Sequence, residues 1–474
     1  MRLPFRPLAR RKTPLLTALP LWLGLAALGL TGCAPQPEAT ARAPANALIL
    51  PLAEPTPLPA TPAPGARLPP NSQLAQDFLE LNFALETGRE LPRFSRFEGP
   101  ISVSMAGRIP ATAQVDLAQL LSRLRNEAGV PISTAPGAAN RIQIEFLPKR
   151  QMQARVPNAA CFVVPGVAGW ADYLRHRNGP RTDWAGLQTR QLVSVFIPSD
   201  ASPQEVRDCL HEEISQGLGP LNDLYRLPDT VWNDDNFHAV LTRFDMLMLR
   251  LAYAPEMRSG MSRPEVMARL PGLLARLNPG GGAAMGVAPP APTPQAYVEA
   301  VTGALGGARS TPQRHASAQR ALMIAQAQGW ADSRTAFAWF VIGRLSLQAD
   351  PPAALAAFDR AEALYHPLPG AGIQIAHIDM QRAAHALGTG QPEQATRLVD
   401  RALGPARAGQ NAALMTTLYM IRAEAQARLG NTAAARQARL DMGRWARYGF
   451  GSDVAVLRRV AEVAALAEAG ARIN

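Results

Sequence analysis

One stretch decides how this chain is interpreted: Cys209-Leu210-His211-Glu212-Glu213-Ile214-Ser215-Gln216-Gly217-Leu218-Gly219, continued by Asn222-Asp223. A His-Glu pair opens it, as in the motif H-E-x-x-H, in which two histidines one helical turn apart face one metal ion. Here the residue one turn after His211 is Ser215, which is a poor zinc ligand. The stretch therefore predicts where a special site lies, and it leaves open whether that site carries out chemistry.

The residues before this stretch predict an α/β domain over residues 72–280. Ser202-Pro203-Gln204-Glu205 is typical of a helix start, with a capping serine, a proline at the first position and an acidic first turn. We expect that helix to end near Gly217 to Gly219. Upstream, apolar residues at helical spacing predict helices around residues 74–85 and 115–128, and strand-like patterns predict strands at 101–105, 142–146, 161–164 and 192–197.

The chain beyond a Gly/Pro linker at residues 281–293 is Ala-rich and predicts an all-helical domain at 294–474. Within it, Asp350-Pro-Pro, Gly390-Gln-Pro and Gly430-Asn-Thr recur at a period of 40 residues. This pattern resembles tetratricopeptide helix pairs, with longer helices than the usual period of about 34 residues implies. The alternative is an irregular Ala-rich bundle. A last helix over residues 454–467 would cap the array.

The N-terminus has the features of a targeting segment. Basic residues precede an apolar run from Leu15 to Leu30, and residues 1–32 together predict a signal peptide. Leu30-Thr31-Gly32-Cys33 resembles the bacterial lipobox, which implies acylation of Cys33 and a lipid anchor on the periplasmic side of the outer membrane. The alternative is an ordinary secretory signal. Residues 33–71 are rich in Pro and Ala and predict an extended spacer.

The charge and the cysteine content limit the classes of protein to which this chain can belong. The formal net charge is +11, and five of the 48 basic residues lie in the predicted signal, so 43 would remain against 37 acidic residues. No basic run with interleaved aromatic residues remains, so nucleic-acid binding is not predicted. In an oxidising periplasm, Cys161 and Cys209 are expected to form a disulfide, and two buried free thiols are the alternative.

Several motifs resemble those of a proteobacterial family known as domain of unknown function 2927, many members of which are described as lipoproteins. The resemblance covers residues 92–277 and rests on four segments: Phe94-Ser-Arg-Phe97, Pro100-Ile-Ser-Val103, Ala160-Cys-Phe-Val163 and the stretch quoted above. A more distant resemblance is to the metzincin peptidases, with the motif H-E-x-x-H-x-x-G-x-x-H. It implies an α+β zincin-like fold, and it requires one inserted residue after Glu212.

The metzincin resemblance implies a set of site residues. With the insertion, His211, Gln216, Asn222 and Asp223 would be the metal ligands, and Glu212 would be the general base that polarises a metal-bound water. His211 and Gln216 are about 140° apart on a regular helix, so they converge only if the helix bulges. The cofactor is either zinc or none.

Two functions therefore remain open. In the first, the chain is a non-catalytic binding or scaffolding protein. The site is then a remnant, and the helical repeats bind an envelope protein or peptide through their concave face. In the second, the chain is a zinc-dependent peptidase that uses His211 and Glu212 with atypical ligands.

Overall fold

A computed structural model describes residues 52–55, 67–157, 159–233, 235, 237–283, 292–306 and 309–471. The predicted signal peptide, Cys33, most of the predicted spacer and residues 284–291 of the predicted linker lie outside the described residues. In the described part of the chain, no helix combines the length and the apolar character needed to cross a membrane.

Five strands form one mixed sheet in the order β2-β1-β3-β5-β4. The strands are β1 (Ile101–Gly107), β2 (Ile132–Ser133), β3 (Asn140–Leu147), β4 (Phe162–Pro165) and β5 (Leu192–Pro198). All neighbours are parallel except β4, which runs antiparallel to β5. The four strands predicted from the sequence are confirmed, and β2, which has only two residues, was not predicted.

In the described part of the α/β region, seven α-helices precede, flank or follow the strands of this sheet. They are α1 (Asn71–Phe83), α2 (Ala113–Ala128), α3 (Lys149–Gln153), α4 (Trp170–His176), α5 (Pro203–Leu218), α6 (Arg243–Ala252) and α7 (Arg263–Leu277). The start of α1 meets the end of α7: the Asn71 side chain donates to the carbonyls of Asn278 (3.2 Å) and Gly282 (2.7 Å), and Asn278 Nδ2 donates back to Asn71 Oδ1. These contacts bring together the two ends of the α/β region.

Helix α5 begins where the sequence predicts. Ser202 and Glu205 form a capping box, in which the Ser202 Oγ accepts from the Glu205 N–H and the Glu205 carboxylate accepts from the Ser202 N–H. The helix ends at Leu218, as expected. Near its middle, Cys209 is paired with Cys161 at a Cα–Cα distance of 6.0 Å, so the predicted disulfide is confirmed.

The chain after this region is helical throughout its described residues. Its helices are α8 (Gln295–Leu305), α9 (Thr311–Ala327), α10 (Ser333–Ser346), α11 (Pro351–Tyr365), α12 (Gly372–Gly388), α13 (Pro392–Ala408), α14 (Ala412–Arg428), α15 (Thr432–Phe450) and α16 (Asp453–Ala471). The helices α10, α12 and α14 begin at residues 333, 372 and 412 and each is followed by a partner helix, so the 40-residue period corresponds to helix pairs. Helix α16 packs on α12 and α14 as well as on α15.

The helical region and the α/β region share packed surfaces. Phe237, from the loop between α5 and α6, packs edge-to-face on Phe337 and Phe340 of α10. The Gln374 side chain of α12 donates to the Pro228 carbonyl at 2.6 Å. The loop between α5 and α6, called the bridging loop below, is therefore one of the contacts between the two regions.

Candidate functional site

His211 lies inside the protein and uses its ring for a structural contact. It is buried, and its Nδ1 accepts a hydrogen bond from the Leu241 N–H at 3.1 Å. Burial, and then the positive charges of Arg207 and Arg123, hold the pKa of His211 well below its usual value. The imidazole is therefore neutral near pH 7, and it fixes the loop that precedes α6.

Ser215, one turn after His211, has a structural role of its own. Its hydroxyl donates to the Glu212 carbonyl at 2.8 Å and accepts from the Trp232 Nε1–H at 3.0 Å. Trp232 is fully buried, so its indole N–H needs a partner inside the protein. The serine at this position thus anchors the tryptophan of the following loop to α5.

The carboxylates of Glu212 and Glu213 lie on the other side of α5, beside the disulfide. Their oxygens and the Cys161 sulfur all lie within 4.8 Å of one another. Burial, and then the negative charges of Asp223 and Glu86, raise the pKa of Glu213 to about 8. The structure therefore brings Glu212, Glu213 and Asp223 into one acidic cluster.

Gln216 and Asn222 contribute to the end of α5. The Asn222 side chain donates to the Glu80 carbonyl at 3.2 Å, and the Gln216 carbonyl accepts from Arg190 at 2.7 Å. Arg190 also donates to the carbonyls of Gly217 (2.9 Å) and Gly219 (2.7 Å). The buried guanidinium of Arg190 therefore caps the C-terminus of α5.

The geometry bears directly on the predicted metal ligands. Helix α5 is regular from Pro203 to Leu218, without the bulge that would bring His211 and Gln216 together. Arg123 and Arg207 beside His211 carry positive charge, which opposes a second cation there. In the described part of the chain, the set with metal-sharing geometry is Cys161, Glu212 and Glu213, and the sulfur of that set belongs to the disulfide. In this regular helix His211 and Gln216 are about 140° apart, so their side chains do not converge on one ion.

A second candidate site lies in the helical region. A groove of about 560 Å³ opens between α10, α12 and α14. Phe237 of the bridging loop and Gln204 of α5 also line it, so both regions contribute to its walls. Its volume falls within the range of about 300–1,000 Å³ that is typical of ligand sites.

The lining residues of this groove occupy equivalent places in successive helix pairs. Phe337, His377 and Thr417 all line it, and they are spaced at the 40-residue repeat period. Phe340 and Met380 are a second pair at the same spacing. The first helices of the pairs therefore present one continuous face to the groove. The period that predicts the turns of the helix pairs also relates these lining residues.

The comparisons with known proteins cover the α/β region only. Residues 71–272 match the model of a family described as a protein of unknown function (DUF2927). The resemblance predicted for residues 92–277 is thus confirmed, and the match begins earlier, at the start of α1. No curated protein and no solved structure matches the chain. The lipoprotein, metzincin-like and tetratricopeptide-like assignments remain predictions.

Proposed function

We propose that this chain is a non-catalytic binding protein that holds a peptide segment of another protein in the groove between α10, α12 and α14. The observation that carries the proposal is the repeated lining: residues one period apart face the same open space. Repeat arrays use such a face as an extended binding surface, because stacking presents equivalent positions side by side.

The helix pairs support a tetratricopeptide-like origin of the helical region. Gly390 and Gly430 both have positive φ, and each lies just before the second helix of its pair. The bridging loop adds a feature of its own, because Phe237 closes one side of the groove. In this proposal, the α/β region is a platform that shapes the binding site.

We further propose that the α/β region is a zincin-like domain whose metal site has been lost. One helical turn relates Glu212 to Gln216, and Gly219 and Asn222 follow at three-residue steps. This spacing matches H-E-x-x-H-x-x-G-x-x-H without an insertion, with Glu213 in the position of the general base. All three ligand histidines would then be replaced by Glu, Gln and Asn, and amide oxygens are not usual zinc ligands.

The alignment that starts at Glu212 favours a non-catalytic binding protein over the alternative, a zinc-dependent peptidase. His211 falls outside the motif, and its contacts with Leu241 and the nearby arginines give it a structural role. Burial and the neighbouring carboxylates favour the neutral form of Glu213. A neutral acid cannot accept a proton from water, so it cannot serve as a general base.

The proposed location is the periplasmic side of the outer membrane, through a lipid on Cys33. This part of the proposal rests on the N-terminal sequence alone. Metabolic labelling with palmitate checks it: label should be incorporated into the wild type and not into Cys33→Ser. Equal labelling of both proteins would contradict the lipid anchor.

A peptide-binding experiment tests the proposed groove. The probe is a fluorescein-labelled pool of random heptapeptides, and the readout is fluorescence anisotropy with the full chain. Gln381 lines the groove, whereas Ala356 is exposed on α11, outside the lining. We expect Gln381→Trp to fill the groove and abolish binding, and Ala356→Trp to bind as the wild type does. Circular dichroism verifies that both variants fold. Equal binding by both variants would refute the groove as the site.

A further inference from the structure

We propose that the groove selects acidic peptide segments, and that Arg344 is the residue that recognises their carboxylates. This inference rests on the proposed function, because it specifies the ligand of the same groove. The peptide pools described below distinguish a preference for negative charge from peptide binding as such.

Arg344 provides a positive charge that the protein does not neutralise. It lies on α10, lines the groove and is solvent-exposed. Its guanidinium lies over the Phe340 ring at 5.6 Å from the ring centroid. Among the described residues, no carboxylate forms an ion pair with it. The guanidinium is therefore positioned by an aromatic ring and remains available for a ligand.

A second arginine adds to this positive potential. Partial desolvation in the groove, and then the charge of Arg314, lower the pKa of Arg344. Arg314 donates its Nε–H to the Ala304 carbonyl at 2.8 Å, and no described carboxylate lies within ion-pair distance of it. Two like charges without a counter-ion repel each other, and an anion bound at Arg344 would relieve that repulsion.

A histidine of α12, His377, also lines the groove. His377 packs on Phe237 with ring centroids 4.8 Å apart, and its Nε2 is enclosed without a hydrogen bond to the described residues. Burial, followed by the positive charges of Arg344 and His238, lowers the pKa of His377 to about 3. The ring is thus neutral near pH 7, and Arg344 remains the charged group beside it.

One acidic residue, Asp235, also lines the groove, and among the described residues it forms no ion pair with Arg344. Asp235 accepts a hydrogen bond from the Phe237 N–H at 3.1 Å. Arg459, at the far edge, is already paired with Glu462 at 2.8 Å. The groove therefore combines phenylalanine, leucine and methionine side chains with a guanidinium, that of Arg344, that no carboxylate among the described residues pairs with. Its complement is a segment with an Asp or Glu side chain, or a terminal carboxylate, between apolar residues.

Three peptide pools test this complement by fluorescence anisotropy with the full chain. All three are C-amidated heptapeptides of random Leu, Phe, Val and Ala that carry fluorescein on the N-terminus, with Glu, Gln or Lys at the central position. We expect the Glu pool to bind on the order of 10–100-fold more tightly than the Gln pool, because a charge-assisted hydrogen bond is lost in the latter. The Lys pool should bind most weakly.

The outcomes separate the two proposals. Equal binding of the Glu and Gln pools would overturn the acidic preference and leave peptide binding intact. Preference for the Lys pool would overturn it too. No binding of any pool would overturn the peptide-binding function itself, and the acidic preference with it.

Substitutions of Arg344 test whether this residue causes the preference for acidic peptides. In Arg344→Gln, the advantage of the Glu pool over the Gln pool should disappear, whereas the weak binding of the Gln pool should be unchanged. Arg344→Lys keeps the charge and should retain part of the advantage. Arg320→Gln on the exposed face of α9 is the matched control and should retain all of it. An undiminished Glu preference in Arg344→Gln would overturn the assignment.

Discussion

Arg190 holds the end of the central helix, and its replacement gives a sharp test of how that helix is stabilised. The residue is 2% exposed and donates three hydrogen bonds to the last carbonyls of α5. Its guanidinium also lies over the Trp184 ring at 4.8 Å from the ring centroid. We expect Arg190→Leu to leave these carbonyls buried without donors.

The magnitude follows from the contacts. Each hydrogen bond to a charged group contributes about 1.5–3 kcal/mol, and the helix dipole adds roughly 1 kcal/mol for a cation at this end. Against this stands the cost of burying the charge, which also lowers the pKa of Arg190 to about 10. We therefore expect a net loss of about 3–5 kcal/mol in the free energy of unfolding.

Equilibrium urea unfolding, followed by circular dichroism, measures this loss. Arg190→Lys should lose most of the same stability, since a single ammonium does not reproduce the planar fork that reaches three carbonyls. The matched control is Arg89→Leu, which removes an exposed ion pair with Asp183 and should cost less than about 1 kcal/mol. If Arg190→Leu were as stable as Arg89→Leu, the capping account would be refuted.

Three further predictions concern stability. Burial and nearby carboxylates raise the pKa of Glu213 from 4.5 to about 8. Between these two pH values the unfolded chain releases this proton more readily than the folded protein does, so the free energy of unfolding falls as the pH rises. In urea unfolding, Glu213→Gln should be more stable than the wild type by about 3 kcal/mol at pH 7 and equally stable near pH 4. The control, Glu299→Gln at an exposed position, should match the wild type at both pH values. A gain in stability of Glu213→Gln at pH 4 would contradict the assignment. Gly370 and Gly88 both have positive φ, but a Cβ at Gly370 would overlap Asp229, whereas one at Gly88 meets open space. Thermal unfolding should therefore show Gly370→Ala destabilised by roughly 1–3 kcal/mol more than Gly88→Ala, and equal effects would argue against tight packing between the regions. Reduction with dithiothreitol should cost about 4 kcal/mol, because the disulfide joins residues 48 apart, and an unchanged urea midpoint would contradict this.

Much of the fold could be predicted because its signals are local. Alternating apolar residues predicted β1 and β3, short apolar runs predicted β4 and β5, and Ser202 and Glu205 predicted the start of α5. The period of 40 residues specified the helix pairs. The two-residue strand β2 carries no such pattern, since its pairing with β1 is made by the tertiary structure.

The site was harder to predict, because its contacts join distant parts of the chain. The direction of the His211 ring depends on Leu241, which is 30 residues away. The cap of α5 comes from Arg190, which lies just before β5, so the whole of that strand separates it from the helix in sequence.

Photo-cross-linking measures where a bound peptide lies on the protein. Benzoylphenylalanine, a photo-cross-linking residue, replaces Gln381 in the groove or, as the control, exposed Arg397 on α13. Each protein is irradiated with the fluorescein-labelled Glu-centred heptapeptide pool, and the covalent adducts are quantified. The account predicts adducts from position 381 that unlabelled pool competes away, and none above background from position 397. Adducts from position 397 alone, or equal adducts from both positions, would contradict the claim that this groove is the binding site.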